Sequence, residues 1–162
     1  MPAGEAASIL WWDQALFFEG QVWRVFTHLG VHADALHAGT NSLVALALWG
    51  WSRASKTEAG VLTLSVALYL ALVPFWGGPA WGASGVLHAW AAALALQAQG
   101  LSSRVRGILW GTLCLKILAE AAGLGPPVAW GLHVSGLIAG TAAATWWLCL
   151  QGARQPRTQH TP

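Results

Sequence analysis

Five apolar stretches, at roughly 35–51, 60–76, 82–99, 106–123 and 128–150, limit what this chain can fold into more than any other feature. Breaks at Arg53–Glu58, Gly77–Pro79, Gly100–Arg106 and Gly123–Pro127 separate them. A membrane-spanning helix needs about 20 mostly apolar residues, with about 17 as the lower limit, and stretches two and three lie close to that limit. Only helices satisfy their own backbone polar groups in lipid, so each stretch is expected to be a helix. Composition agrees: 56% of residues are hydrophobic and 9% charged, whereas a soluble domain carries about 25% charged residues. The expected fold is therefore all-α, a polytopic membrane helix bundle in a single domain.

Residues 1–34 are expected to form an N-terminal interfacial segment and outer loop, 35–151 the transmembrane core, and 152–162 a polar tail. The first thirty residues mix aromatics (Trp11, Trp12, Phe17, Phe18, Trp23) with Glu5, Asp13, Glu19 and Arg24. They match neither a spanning helix nor a cleavable signal, and fit a segment resting at the headgroups, where tryptophan concentrates. The tryptophans near span ends, Trp51, Trp76, Trp81 and Trp130, read as interface anchors, and Trp146 with Trp147 as an inner belt. Cys114 and Cys149 lie in apolar runs without metal-like spacing and read as small core residues.

Lys and Arg fix the orientation. Arg53 and Lys56 follow the first stretch, Arg104 and Arg106 the third, Arg154 and Arg157 the fifth, which is six of the eight positive residues. Alternate loops share a side, and the positive-inside rule makes that side cytoplasmic. The Gly77-Gly78-Pro79 and Gly125-Pro126-Pro127 loops then face outward. Stretches one, three and five begin at the outer surface.

The unusual polar residues fall in those first turns. His37 and Asn41 are four apart, on one helix face. Ser84 sits in Gly82-Ala83-Ser84-Gly85 at the start of stretch three, with His88 one turn deeper. His133 follows Pro127 by ~9 Å along the axis at the usual helical rise. An imidazole or amide in lipid is costly unless it faces the bundle interior or a partner. Three helices carry such groups at one level.

These groups suit acyl transfer. A neutral His133 can take the Ser84 proton and so activate the hydroxyl. His37 and Asn41, with backbone N–H groups at the start of the Ser84 helix, can donate to a tetrahedral oxyanion. No Asp or Glu is expected at this level, so the pair should act as a dyad. Gly136 and Gly140 give the last helix a small face for close approach. Each residue also has a plainer role: Ser84 as a packing serine between glycines, His37 with Asn41 as an interhelical hydrogen-bond pair. His28 and His32 read as structural, tying the outer loop to the bundle. Lys116 and Glu120, four apart on stretch four, read as an ion pair facing the bundle.

Taken together, Trp23-Arg24, the series Thr27-His28, His32, His37 and Asn41, Gly82-Ala83-Ser84-Gly85, and His133 with Gly136 and Gly140 resemble a rhomboid intramembrane serine protease over roughly residues 20–150. The resemblance implies Ser84 as nucleophile, His133 as general base, and His37 and Asn41 as oxyanion donors. Gly82, Gly136 and His88 would support them. The segment around Trp23-Arg24 would be a loop lying partly in the outer leaflet. His88 stands where familiar bacterial rhomboids carry a tyrosine. With Gly-Ala-Ser-Gly-Val-Leu-His and Lys116-Ile-Leu-Ala-Glu120, it resembles the rhombosortase branch, associated with cutting C-terminal Gly-Gly sorting tails from exported bacterial proteins. His88 would stack on His133 in the tyrosine's place or bond a neighbouring carbonyl. The family core has six spans and five are visible, so either a first span upstream of Met1 or a truncated form is expected.

The resemblance implies an inner-membrane, multi-pass endopeptidase opening to the outer side. Its partners would be the lipid bilayer and a transmembrane or C-terminally anchored protein substrate. No cofactor is expected, nor a metal, since His28, His32 and His37 do not form a His-Glu-x-x-His pattern. A net charge of +2 is too small to suggest nucleic acid. A competing reading is a rhomboid-like factor that binds membrane clients without cutting them; such proteins usually lose the serine or the histidine. A haem or metal membrane protein using the histidines is a third.

Overall fold

A computed structural model describes residues 9–124 and 130–154. Seven α-helices are present among them: α1 Gln14–Phe18, α2 Arg24–Thr27, α3 Ala35–Ala54, α4 Ala59–Leu72, α5 Ser84–Gln97, α6 Ser103–Ala121 and α7 Trp130–Arg154. The last five coincide with the five apolar stretches. Gly125-Pro126-Pro127, Arg157, residues 1–8 and the tail from 155 onward lie outside the described residues.

Local chemistry sets the helix ends. Asp34 caps α3 by accepting from the His37 backbone N–H at 2.7 Å, and Ser102 caps α6 through the Val105 N–H. Both satisfy donors that a first helical turn leaves without a carbonyl partner. The second stretch does not stay α-helical to residue 76. Pro74 falls in a 3₁₀ turn, Val73–Phe75, where its missing N–H and fixed φ are tolerated. The third begins at Ser84 rather than 82, because Gly82 adopts φ +94°, a conformation no helix contains.

By length and apolar composition, Trp130–Gln151 alone among the described helices is sufficient to cross a membrane, and Ala59–Phe75 is apolar but shorter. The others fall short for visible reasons: α5 is only 14 residues long, α6 carries Arg104, Arg106, Lys116 and Glu120, and α3 carries His37, Asn41 and Arg53.

Helix α5 is central and touches α3, α4, α6 and α7. Its Ala89, Ala92, Ala93 and Leu94 are fully buried. One apolar cluster joins Tyr69, Val73, Ala89, Leu132 and Ala139 to Trp12 and Val25 of the N-terminal segment. A second joins Leu48, Val61, Leu62, Leu94 and Ala144 farther along the bundle.

The N-terminal segment is thus built into the bundle. Trp12 is fully buried, exchanges backbone hydrogen bonds with Ala80 and donates its indole N–H to the Trp76 carbonyl at 3.0 Å. Arg24 is also buried and donates to the Trp11 carbonyl at 2.7 Å. His28 links the segment to α4: its Nδ1 faces the Arg24 carbonyl at 2.9 Å and its Nε2 the Tyr69 hydroxyl at 3.3 Å. The His28 carbonyl then accepts from the Gly82 N–H at 2.7 Å, which brings the segment up against the turn before Ser84.

Candidate active site

Two glycines on α7 bring its backbone against α5. A Cβ added at Gly136 would lie 2.2 Å from the Gly85 carbonyl oxygen, and one at Gly140 would lie 2.1 Å from that of Ala89. Close backbone approach through small residues is a main source of helix association in lipid. On the other side of α5, a Cβ at Gly85 would lie 2.3 Å from the Tyr69 hydroxyl oxygen and 2.4 Å from its ring. Ser84 and His133 are therefore held by a seam that accepts no additional methyl group.

Within that frame the Ser84 hydroxyl lies 2.8 Å from His133 Nε2. His133 is buried and Ser84 half-buried. The expectation that no carboxylate stands at this level is overturned. Glu120 Oε2 lies 2.7 Å from His133 Nδ1, so the histidine has an acidic partner and the arrangement is not a bare pair. The expected Lys116–Glu120 ion pair is present on α6.

His88 satisfies both alternatives read from the sequence. Its ring stacks on His133, with centroids 4.1 Å apart and planes at 15°. Its Nδ1 meets the Ser84 carbonyl oxygen at 2.7 Å, and its Nε2 lies 3.2 Å from Lys116 Nζ.

His37 and Asn41 converge on Gly82, two residues before the serine. A Cβ there would sit 3.0 Å from His37 Nε2 and 3.2 Å from Asn41 Nδ2. Asn41 is buried, and its Nδ2 has no hydrogen-bond partner among the described residues. An unpartnered buried amide donor is costly, so its presence calls for an explanation. A developing oxyanion beside Ser84 would satisfy it. His32 Nε2 is likewise buried without a partner among the described residues, and its ring meets that of His37 edge-on at 5.1 Å. Between these two histidines, therefore, it is His28 that ties the N-terminal segment down through both ring nitrogens.

Glu120 was the residue that sequence reasoning missed, although a signal existed. It is the penultimate residue of α6, and His133 is the fourth of α7. Antiparallel helices joined by a short connection place residues near that connection at one level. Among the described residues, no cluster of three or more His, Cys, Asp or Glu can hold a metal ion. The geometry supports proton transfer from a serine hydroxyl to a buried imidazole beside free hydrogen-bond donors, which is the equipment of acyl transfer.

No curated protein matches this chain. The family model for the Rhomboid domain matches residues 19–150, from the N-terminal segment through α7. The match spans most of the chain, which therefore belongs to the rhomboid family of membrane-embedded serine proteases, enzymes that act on membrane-protein substrates within the bilayer.

Proposed function

We propose that this chain is an active intramembrane serine endopeptidase in which Ser84 attacks a substrate carbonyl. The observation that carries the reading is the 2.8 Å contact between Ser84 Oγ and His133 Nε2 beside the unpartnered Asn41 amide. As Oγ bonds to the carbonyl carbon, its proton passes to His133 Nε2. His37 and Asn41 donate to the oxyanion, with help from the open N–H groups of the first turn of α5. His133 then gives the proton to the leaving amine, and water releases the acyl group from Ser84 by the same steps. Gly82 and Gly136 support the site by leaving room for these approaches.

The proposed substrate is the membrane-anchoring segment of an exported protein, cut near the outer face of a bacterial inner membrane. A C-terminal tail of the Gly-Gly sorting type is the best candidate. That choice rests on the resemblance of His88 and the surrounding sequence to the rhombosortase branch.

The decisive experiment is labelling by a serine-directed fluorophosphonate together with cleavage of an anchored substrate in membranes. Ser84→Ala and His133→Ala should each abolish both while the protein still inserts. Asn41→Ala should slow cleavage by about 10²–10³-fold, as for other oxyanion donors. Labelling that survives Ser84→Ala would remove that serine as nucleophile. Intact clients accumulating on the wild-type protein would favour a binding factor instead.

A further inference from the structure

Glu120 divides its two carboxylate oxygens between different partners. Oε1 accepts from Lys116 Nζ one turn earlier on α6, and Oε2 faces His133 Nδ1 at 2.7 Å. An ionised carboxylate can only accept hydrogen bonds. Nδ1 must therefore carry the imidazole proton, which leaves the Nε2 lone pair directed at the Ser84 hydroxyl. The opposite tautomer would set a lone pair against the carboxylate and an N–H against Ser84.

His88 is constrained in the same sense. A lysine ammonium can only donate, so His88 Nε2, 3.2 Å from Lys116 Nζ, accepts. Its Nδ1 then donates to the Ser84 carbonyl. Lys116 thus bonds both the carboxylate behind His133 and the ring stacked on its face. The lysine side chain is half exposed and that of Glu120 only 12% exposed. A carboxylate this enclosed in a membrane protein is expected to have a charge partner. The other titratable groups near His133 are His88 on α5 and His37 on α3.

We propose that Glu120 is a positioning residue for His133, held in place by Lys116, so that the site works as a serine–histidine–carboxylate triad rather than a pair. The inference rests on the reading of Ser84 as nucleophile. When the serine proton reaches Nε2, His133 becomes imidazolium and keeps donating Nδ1–H to Glu120. No proton passes to the carboxylate. Lys116 stops Glu120 from turning toward the outer surface, and His88 fixes the plane of the reacting ring.

The test uses the full chain in lipid bilayers and a fluorophosphonate probe, with the inactivation step (kinact) measured separately from probe binding (KI). Glu120→Gln keeps the side-chain shape and can still accept from Lys116. It should lower kinact by about 10⁴-fold, the loss seen when the acidic member of other serine triads is removed, and leave KI unchanged. Glu120→Asp should recover part of the loss. In ¹⁵N spectra of labelled histidine, the Nδ1–H signal of His133 should be present in the wild type and lost or shifted in Glu120→Ala. A purely structural ion pair would change melting behaviour but move neither the kinact–KI split nor this signal.

Wild-type kinact in Glu120→Gln, with Ser84→Ala unlabelled, would overturn the positioning role and leave the serine reading intact. Labelling of Ser84→Ala would instead overturn the serine reading itself. If Glu120→Gln does not fold, the double variant Lys116→Gln with Glu120→Gln removes both charges together. The same loss of kinact then supports the proposal, and wild-type kinact overturns it.

Discussion

Helix α7 reaches the site through steric contact, whereas α6 reaches it through polar side chains. On α7, Gly136 and Gly140 press against α5 backbone, and Leu132, Ala139, Ala143 and Ala144 are buried around them. On α6 the one buried apolar side chain is Ile117, while Val105, Ile108, Leu115 and Leu118 are exposed. What attaches α6 is a set of polar bonds: Trp110 to Thr141, Arg106 to the Leu96 carbonyl, Lys116 to His88 and Glu120 to His133. Lipid tails are as apolar as leucine, so membrane helices associate through close packing and hydrogen bonds rather than by escaping water. The two helices divide these means between them. The glycine seam sets where Ser84 and His133 stand, and the polar face of α6 sets how the imidazole is turned.

Among changes that leave the polar groups of the site in place, the largest expected effect comes from breaking the seam. Gly136→Val would drive side-chain atoms into the Gly85 carbonyl, backbone that moves only if the helices part. Overpacking of this kind costs about 1–3 kcal/mol. A displacement of about 1 Å between Ser84 and His133 is expected to cost about 10²-fold in rate. Fluorophosphonate labelling rate and melting followed by tryptophan fluorescence check both. A wild-type labelling rate would mean that the seam does not set the geometry.

A smaller effect is expected when α6 loses a bond remote from the site. Trp110→Phe removes the 3.0 Å bond to Thr141 and keeps an aromatic ring. Interhelical hydrogen bonds of this kind average about 0.6 kcal/mol in membrane proteins. Melting should shift slightly and labelling stay near wild type. A larger labelling loss than in Gly136→Val would reverse the assignment of roles to the two helices.

The helical stretches were legible because apolar length and charged breaks are one-dimensional signals. The ends moved only where a backbone conformation intervened, at Pro74 and at Gly82. The Ser84–His133 contact and the close approach at Gly136 are in keeping with shared depth and small-residue spacing. Glu120 was hidden because the (i, i+4) spacing with Lys116 already accounted for it as a local ion pair. A carboxylate has two oxygens, however, and sequence cannot say where the second points. Trp12 was misplaced for a related reason. Tryptophan suits both an interface and a core with a carbonyl to bond, and only the Ala80 and Trp76 contacts decide.

Tyr69 sets steric and polar contributions against each other in one side chain. Its ring fills the notch at Gly85, and its hydroxyl reaches His28 Nε2 at 3.3 Å. Since His28 Nδ1 faces a carbonyl, it donates there, and Nε2 accepts from the tyrosine. Tyr69→Phe keeps the ring and deletes the bond, so a site placed by packing should keep its labelling rate and lose only about 0.5–1.5 kcal/mol of stability. The same contact carries a pH signature. Burial holds His28 below the usual histidine value of 6.5, outweighing the backbone hydrogen bonds that act the other way. Below that pH the unfolded chain binds the proton more readily than the folded one, so stability falls with acidification and is regained as pH rises through this window. Melting temperature should therefore be level above about pH 7 and decline from about pH 6.5 downward. His28→Phe should lessen that decline, whereas Tyr69→Phe should retain it, because burial rather than the tyrosine bond keeps the ring neutral.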